Sequence, residues 1–156
     1  MQITITHCED TMLSFTQLNE QNNKIKELSS VLNYLIENKE MCNKDTTCDL
    51  FLEFAEKVTD HLYLEEKEVY RHLLNHDDLK VRKTVNDFFS GSIEIKRVFN
   101  EYLGQWCKNK KLRVIQHDKF VKDTHEMFSL VLNRIDAETN ILYPVIKDVL
   151  GDKIAA

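Results

Sequence analysis

The sequence carries the same pattern twice: HLYLEEKEVY at residues 61–70 and RIDAETNILY at residues 134–143. Each copy begins with a basic residue, has a Glu four positions later, and ends with a Tyr five positions after that Glu. Because residues four apart lie on one face of an α-helix, His61 pairs with Glu65 and Arg134 pairs with Glu138. The two copies therefore predict a base–glutamate pair on one face of each of two helices.

The composition predicts an all-α protein without a nucleic-acid or membrane partner. The chain has 156 residues, which suits one domain, and its 3 Gly and 1 Pro are too few for a turn-rich β architecture. A net charge of −5 gives no basic footprint for nucleic acid. There is no apolar run of membrane-spanning length and no signal-peptide pattern. We therefore expect a cytoplasmic protein, in which all four cysteines are reduced.

Hydrophobic periodicity predicts four long helices joined by short connections. We expect a short arm at residues 1–10 and a tail at residues 152–156. Three helices are expected at about 11–38, 48–75 and 118–150, with a polar loop at 39–47. The third helix is expected after Asp78, with an apolar seam from Val81 to Trp106 and an end near Gly104 and the basic residues 108–111. Short connections favour antiparallel neighbours, so residues 11–151 should form an up-down-up-down four-helix bundle.

Two kinds of local signal refine this prediction. The apolar stripe of the second helix is expected to continue to His72, and that of the fourth helix to Val145. Thr46 with Asp49 three residues later resembles a capping box that opens the second helix. Asp78 is expected to be the N-cap of the third helix.

The two repeated motifs should meet in one layer of the core. The second and fourth helices run parallel across such a bundle, and a rise of ~1.5 Å per residue puts the motif residues within a layer of roughly 8 Å. The layer contains these polar residues: Asn22, His61, Glu65, Ser92, Arg134 and Glu138. Charged side chains occupy a core stripe when they pair with one another or hold a metal.

The motifs resemble those of hemerythrin-like (HHE cation-binding) domains. Residues 61–70 resemble the His-x-x-x-Glu motif of that family, and the Leu-Tyr-Pro at residues 142–144 is similar to its closing motif. Residues 18–25 resemble its first-helix segment, and the apolar seam at residues 88–106 fits a bacterial branch. The resemblance covers about residues 12–148. It implies a four-helix bundle that holds iron, or another divalent metal, in its core.

The ligand set implied by this resemblance is incomplete in this chain. Asn22 stands where the family has a first-helix His, Ser92 lies in the layer where the third helix supplies a ligand, and Arg134 replaces the fourth-helix His. Arginine keeps its proton and cannot ligate a metal. The remaining candidate ligands are His61, Glu65 and Glu138. This set is too small for a di-iron centre that carries oxygen reversibly.

Two interpretations of the polar layer remain open. In the first, which we favour because Arg134 replaces a ligand, the layer is metal-free. Arg134 then bonds both Glu65 and Glu138, and His61 and a tyrosine hydroxyl complete the network. In the second, His61, Glu65, Glu138 and water hold a single metal. Mixed nitrogen and oxygen donors suit iron, manganese or zinc.

Other clusters carry less specific signals. His72 and His76 have a metal-compatible spacing but lie near a helix end, where a surface role is the simpler expectation. A second group maps to the opposite end of the bundle: Cys42, Cys48, Cys107 and His117. Without a tight spacing motif we expect scattered thiols there rather than a redox or zinc cluster. Cys8 belongs to neither group.

Two functions of different classes follow from these observations. The first is a hemerythrin-like, non-catalytic sensor or binder with a degenerate or single-metal site that responds to iron, oxygen or nitric oxide. The second is a metal-free regulatory protein, because Arg134-x-x-x-Glu138 and the helix order distantly resemble regulator of sigma D, an anti-sigma factor. The net negative charge would suit a basic protein partner. No nucleophile–base pair or phosphate loop is visible, so we do not expect an enzyme. The oligomeric state, monomer or homodimer, is left open.

Overall fold

The computed structural model describes the backbone of residues 3–150 and the side chains of residues 15–149. Over this part of the chain the fold is all-α, as predicted, apart from one two-residue-per-strand hairpin. In chain order the elements are α1 (Ile3–Glu37), α2 (Lys39–Cys42), α3 (Asp45–Glu65), the π-helical turn π1 (Glu66–Tyr70), α4 (Arg71–Leu73), α5 (Leu79–Trp106), β1 (Cys107–Lys108), β2 (Lys111–Leu112), α6 (His117–Ala137), the π-helical turn π2 (Glu138–Leu142) and α7 (Tyr143–Leu150). Within residues 3–150, no helix is both long and apolar enough to cross a membrane.

The core consists of two apolar clusters with a polar layer between them. The larger cluster includes Phe54 and Phe99, and the smaller one includes Tyr70 and Leu142. Each long helical segment contributes to both clusters, on either side of its polar residue. The bracketing pairs are Leu18 and Ile25, Leu62 and Val69, Val85 and Ile95, and Ile135 and Leu142. The charged layer is therefore enclosed by apolar side chains along the length of the helices.

The N-terminal helix is longer than the sequence pattern predicts. α1 begins at Ile3, so residue 10 is not a helix boundary, although an arm at residues 1–10 was expected. No Gly or Pro occurs in this stretch, and nothing local therefore stops the helix from extending. The expected tail at residues 152–156 lies outside the described residues.

The connection between α1 and α3 differs from the predicted loop at residues 39–47. It contains the short helix α2, whose N-cap Asn38 accepts a hydrogen bond from Met41 N at 3.0 Å. The capping box predicted from Thr46 and Asp49 is wrong, because α3 begins at Asp45 without a side-chain cap. The Thr47 hydroxyl instead donates to the Met41 carbonyl at 2.7 Å and ties α3 to α2.

The connection between α5 and α6 contains a tight hairpin that the sequence did not reveal. β1 pairs with β2 through Cys107 and Leu112, and the turn residues Asn109 and Lys110 have φ angles of 54° and 59°. Two consecutive positive φ angles define a type I′ turn, for which Asn-Gly is the usual signal. Lys110 stands where Gly would be expected, so the signal was absent. The predicted N-cap of α5 is confirmed, since Asp78 accepts from Lys80 N at 2.8 Å.

Each copy of the repeated motif contains a π-helical turn. The backbone N–H of Arg71 donates to Glu66 O in π1, and that of Tyr143 donates to Glu138 O in π2. A π-turn adds one residue to the helix, so every inward position that follows moves by one. His72 is accordingly exposed and Leu73 is buried, while Ile146 is buried and Val145 only half-buried. The predicted inward positions of His72 and Val145 are therefore wrong.

The register shift can be measured by alanine substitution. Leu73→Ala and Ile146→Ala should each lower the free energy of unfolding by about 2–5 kcal/mol, because both side chains are buried. His72→Ala should lower it by less than Leu73→Ala does, because the His72 side chain is exposed. Urea unfolding of the three variants provides the measurement. A larger loss from His72→Ala than from Leu73→Ala would contradict the π1 register.

Candidate functional site

The repeated motif places two carboxylates and a histidine in the buried polar layer. His61 and Glu65 lie in the last turns of α3, and Glu138 is the first residue of π2. His61 is 3% exposed, and Glu65 and Glu138 are both 0% exposed. Their ligand atoms lie within 4.8 Å of one another, which makes them the one group of three metal-ligating residues found among the described residues.

One ring nitrogen of His61 is the centre of this cluster. His61 Nε2 lies 3.1 Å from Glu138 Oε2 and also contacts Glu65 Oε1 as an ion pair. The second contact brings the charges together, but it lacks the direction of a hydrogen bond, so Glu65 Oε1 remains without a hydrogen-bond donor. The two carboxylates therefore converge on a single nitrogen.

The other ring nitrogen of His61 is held by α1. His61 Nδ1 lies 3.0 Å from Gln21 Oε1. An amide oxygen only accepts, so Nδ1 carries a proton and donates it to Gln21. Nε2 is then either the second N–H of an imidazolium or the lone pair of a neutral ring. In the neutral ring, three electron-rich atoms would face one another.

Each glutamate of the cluster accepts a hydrogen bond from the tyrosine five residues later. Tyr70 OH donates to Glu65 Oε2 at 2.9 Å, and Tyr143 OH donates to Glu138 Oε2 at 3.1 Å. In an α-helix, residue i+5 points about 140° away from residue i, so these pairs could not meet. The π-turns bring them onto one face and thus produce the same Glu–Tyr pair in both copies. Asn22 joins the second pair by donating to Tyr143 OH at 3.1 Å.

Arg134 lies on the α5 side of the carboxylates. Its Nε donates to Glu138 Oε1 at 3.1 Å, and its Nη2 donates to Tyr70 OH at 2.6 Å and to the Phe88 carbonyl at 2.7 Å. Nη2 is 3.9 Å from Glu65 Oε2, so Arg134 reaches that carboxylate mainly through the tyrosine hydroxyl. The expectation that Arg134 would bond both glutamates directly is therefore wrong, because its direct hydrogen bond is to Glu138 alone of the two. The guanidinium also lies over the Phe88 ring, 4.8 Å from its centroid.

Arg134 depends on a glycine in α5 for its position. A methyl group at Gly91 would lie 2.7 Å from Arg134 Nη1, closer than a carbon and a nitrogen can approach. Gly104, the other glycine of α5, has open space at the same position. Gly91 is therefore the residue that lets the guanidinium lie against this helix.

The cluster perturbs the acid–base behaviour of all its members. Burial disfavours the charged form of His61, but the negative charge of Glu65 and the hydrogen bond that Nε2 donates to Glu138 raise the pKa of His61 to about 10. Burial, then the charge of Glu65, raises the pKa of Glu138 to about 8. Burial also opposes the ionisation of Glu65, but the charges of His61 and Arg134 and its hydrogen bonds hold its pKa below the usual range. His61 is therefore an imidazolium at neutral pH as long as protons alone occupy the site.

The remaining residues of the predicted layer have different positions. Asn22 is buried beside the cluster and keeps an Oδ1 atom without a hydrogen-bond donor. Ser92 is also buried, but none of the hydrogen bonds described above involves it. Sequence reasoning placed both in this layer. It did not assign roles to Gln21, Gly91 or the Phe88 carbonyl, because nothing in their spacing marks them.

The other candidate clusters do not form metal sites among the described residues. His76 Nδ1 accepts from Asp78 N at 3.0 Å, so it supports the turn before α5. At the opposite end, His117 Nε2 donates to the Ile36 carbonyl at 2.7 Å. Cys48 Sγ accepts from Leu112 N at 3.4 Å, and Cys42, Cys48 and Cys107 are free thiols. Burial raises the pKa of the Cys42 and Cys107 thiols, which lowers their reactivity.

Comparison with known proteins gives no assignment. No protein-family model, curated protein sequence or solved structure matches this chain. The function must therefore be argued from the site itself.

The role of Gly91 can be tested against Gly104. Alanine favours a helix over glycine by ~1 kcal/mol, so Gly104→Ala should stabilise the protein slightly. Gly91→Ala should instead destabilise it, because Arg134 must move and lose charge-assisted hydrogen bonds of about 1.5–3 kcal/mol each. Thermal unfolding of both variants gives the comparison.

The same substitution in an Arg134→Ala background supplies the control. With the guanidinium removed, Gly91→Ala should no longer be destabilising. An equal loss of stability in both backgrounds would show that Gly91 serves a contact other than Arg134.

The protonated cluster predicts a specific dependence of stability on pH. With EDTA present, the folded protein keeps the His61 proton up to about pH 10, whereas an unfolded histidine loses it near 6.5. The contribution of His61 is therefore complete below pH 6.5, falls by ~1.4 kcal/mol per pH unit above it, and is lost near pH 10. The raised pKa of Glu138 acts in the same direction up to about pH 8. Urea unfolding between pH 6.5 and 9 should show a falling stability, and His61→Gln should flatten the slope; equal slopes would refute the assignment.

Proposed function

We propose that this protein is a hemerythrin-like four-helix protein that binds one divalent cation in its core and acts as a non-catalytic sensor or binder. In this proposal the four long helices form an up-down-up-down bundle in a cytoplasmic protein. The ligands are His61 Nε2, Glu65 Oε1 and Glu138 Oε2. The convergence of these three acceptor atoms on one point is the observation that carries the proposal.

The donor set fits a single ion. One imidazole and two carboxylates are the mixed donors that suit iron, manganese or zinc, and water can complete the coordination. One of the proposed ligand atoms, Glu65 Oε1, and the neighbouring Asn22 Oδ1 are buried acceptors without a hydrogen-bond donor. A cation and its water would satisfy both. A di-iron centre does not fit, because Arg134 occupies the position of a further ligand and cannot coordinate.

The residues around the ligands also support a metal site. A metal-ligating histidine usually donates its other N–H to an oxygen acceptor, as His61 does to Gln21. Tyr70 and Arg134 bond the outer oxygens, Glu65 Oε2 and Glu138 Oε1. The oxygens that face His61 are Glu65 Oε1 and Glu138 Oε2. Glu138 Oε2 also accepts from Tyr143 OH, which leaves its second lone pair for the ion. The hydrogen bonds from Tyr70 and Arg134 therefore orient the two carboxylates toward a common point.

A bound ion would affect all four long helices, because each of them contributes a group to the layer. Gln21 and Asn22 connect it to α1, His61 to α3, the Phe88 carbonyl to α5, and Arg134 to α6. A divalent ion would displace the His61 proton and so change the charge of a layer that these helices share. Bound iron would supply redox chemistry and affinity for oxygen or nitric oxide. A partner protein could recognise the resulting change in helix packing.

A second candidate function is a metal-free regulatory bundle that binds another protein. The supporting observation is the hydrogen-bond network, in which His61, Arg134 and the two tyrosines supply donors to Glu65 and Glu138. Such a network fixes the register of helices with little net effect on stability. The net charge of −5 would suit a basic partner, as in an anti-sigma-like protein.

Metal titration distinguishes the two functions. Protein stripped with a chelator should bind Mn²⁺, Fe²⁺ or Zn²⁺ at one ion per chain, with affinity that decreases as the pH falls, because protons compete for the ligands. Binding should raise the melting temperature with metal concentration. His61→Ala and Glu138→Gln should abolish both effects, and Ser92→Ala, a buried residue of the same layer, should leave them unchanged.

The opposite outcome would favour the metal-free function. It consists of no bound metal at saturating concentration, together with unchanged melting when Glu138→Ala is combined with Arg134→Met. Purification of a stoichiometric basic regulator with the chain would then identify the partner.

A further inference from the structure

A surface groove lies between α1 and α3, directly outside the buried cluster. It has a volume of about 500 Å³ and is open to solvent. Gln17 and Gln21 line it from α1, and Asp60 and Leu64 line it from α3. His61 is next to Asp60 in the sequence but is buried beneath this surface. The groove and the candidate site are therefore neighbours on the same pair of helices.

Gln21 is the residue that the groove and the site have in common. Its side chain lines the groove and also accepts the hydrogen bond from His61 Nδ1 at 3.0 Å. Gln21 is half-buried, whereas His61 is 3% exposed. One amide side chain therefore lies between solvent and the imidazole.

The other directions of approach to the site are covered. Along the helices, the two apolar clusters lie above and below the polar layer. On the α5 side, Arg134 is bonded to Tyr70 and to the Phe88 carbonyl and closes the approach to both carboxylates. Beside Gln21, Asn22 is 3% exposed and bonded to Tyr143. Two members of this enclosure reach the surface, Gln21 and Arg134, whose side chain is 11% exposed. Arg134 is held in place by its hydrogen bonds to Tyr70 and the Phe88 carbonyl, and Gln21 is the member that lines the groove.

We propose that the groove between α1 and α3 is the route by which a divalent cation reaches and leaves the buried site, and that Gln21 is its gate. This inference rests on the proposed function of metal binding. With Gln21 in place, the imidazole is fixed so that Nε2 faces the carboxylates. When Gln21 turns outward, its bond to His61 breaks and the groove extends to the ring. The same side chain thus positions the ligand and controls access to it.

The test measures the rates of exchange as well as affinity, with Mn²⁺ as the probe. Free Mn²⁺ gives an electron paramagnetic resonance signal that disappears on binding, and release into excess EDTA gives the reverse rate. Gln21→Ala should increase both the uptake and the release rate severalfold. Gln17→Trp, one helical turn earlier in the groove, should slow both rates by the same factor and leave the equilibrium affinity unchanged. Gln105→Trp, an exposed Gln to Trp change on α5, is the matched control and should alter neither rate.

The outcomes distinguish the route from the metal site itself. If wild-type protein binds Mn²⁺ but both Gln17→Trp and Gln21→Ala leave the uptake rate unchanged, the groove is not the route, and metal binding stands without it. If Gln21→Ala lowers the affinity only through faster release, Gln21 positions His61 and is not a gate. If wild-type protein takes up no Mn²⁺ in a His61-dependent manner, the proposed function is wrong and the route is wrong with it.

Discussion

The rest of the structure depends on compensating two fully buried carboxylates. Glu65 and Glu138 have no access to water, and an ionised carboxylate in such a position is very unfavourable unless cations and hydrogen-bond donors surround it. His61 and Arg134 supply the positive charge, and the two tyrosines supply neutral donors. These groups come from the second and fourth long helical segments. Gln21 and Asn22 of α1 and the Phe88 carbonyl of α5 bond to them, so the network connects all four segments and constrains how they pack. The apolar clusters on either side then exclude water and strengthen every interaction in the layer.

The π-turns allow each buried glutamate to accept a hydrogen bond from a tyrosine of its own helix. Each adds one residue after a glutamate, which turns the following tyrosine onto the glutamate and moves the rest of the helix by one position. A π-turn replaces i→i+4 backbone bonds and is rarely stable by itself. Here one occurs in each copy of the motif, at positions that differ by one residue, and each forms a buried Tyr–Glu hydrogen bond. The repeated sequence pattern is thus matched by a repeated distortion of the helix.

The same three atoms can be satisfied by protons or by a cation, and this choice connects the two proposed functions. Protons make the cluster a network of ion pairs. In the proposed metal-bound state, a divalent ion would be held by carboxylates that Tyr70, Tyr143 and Arg134 already orient. Arg134 takes part in either state, because it bonds the outer oxygen of Glu138 rather than the oxygen that faces His61. Its presence therefore removes a di-metal centre from consideration but leaves a single ion compatible with the layer.

The sequence by itself determined the helical class, the four long helices and the pairing of His61 with Glu65 and Arg134 with Glu138. It also placed these residues in one layer, because helical periodicity and a fixed rise per residue depend only on local geometry. Asp78 as a helix cap was predictable for the same reason. Only the tertiary structure decided the π-turns, the burial of Leu73 in place of His72, the contact of Arg134 with Gly91 and the position of Gln21 over His61. These features arise because hydrogen bonds to buried charges between helices outweigh the local preference for a regular α-helix. The partners of those bonds lie on different helices, so no single segment of the sequence predicts them.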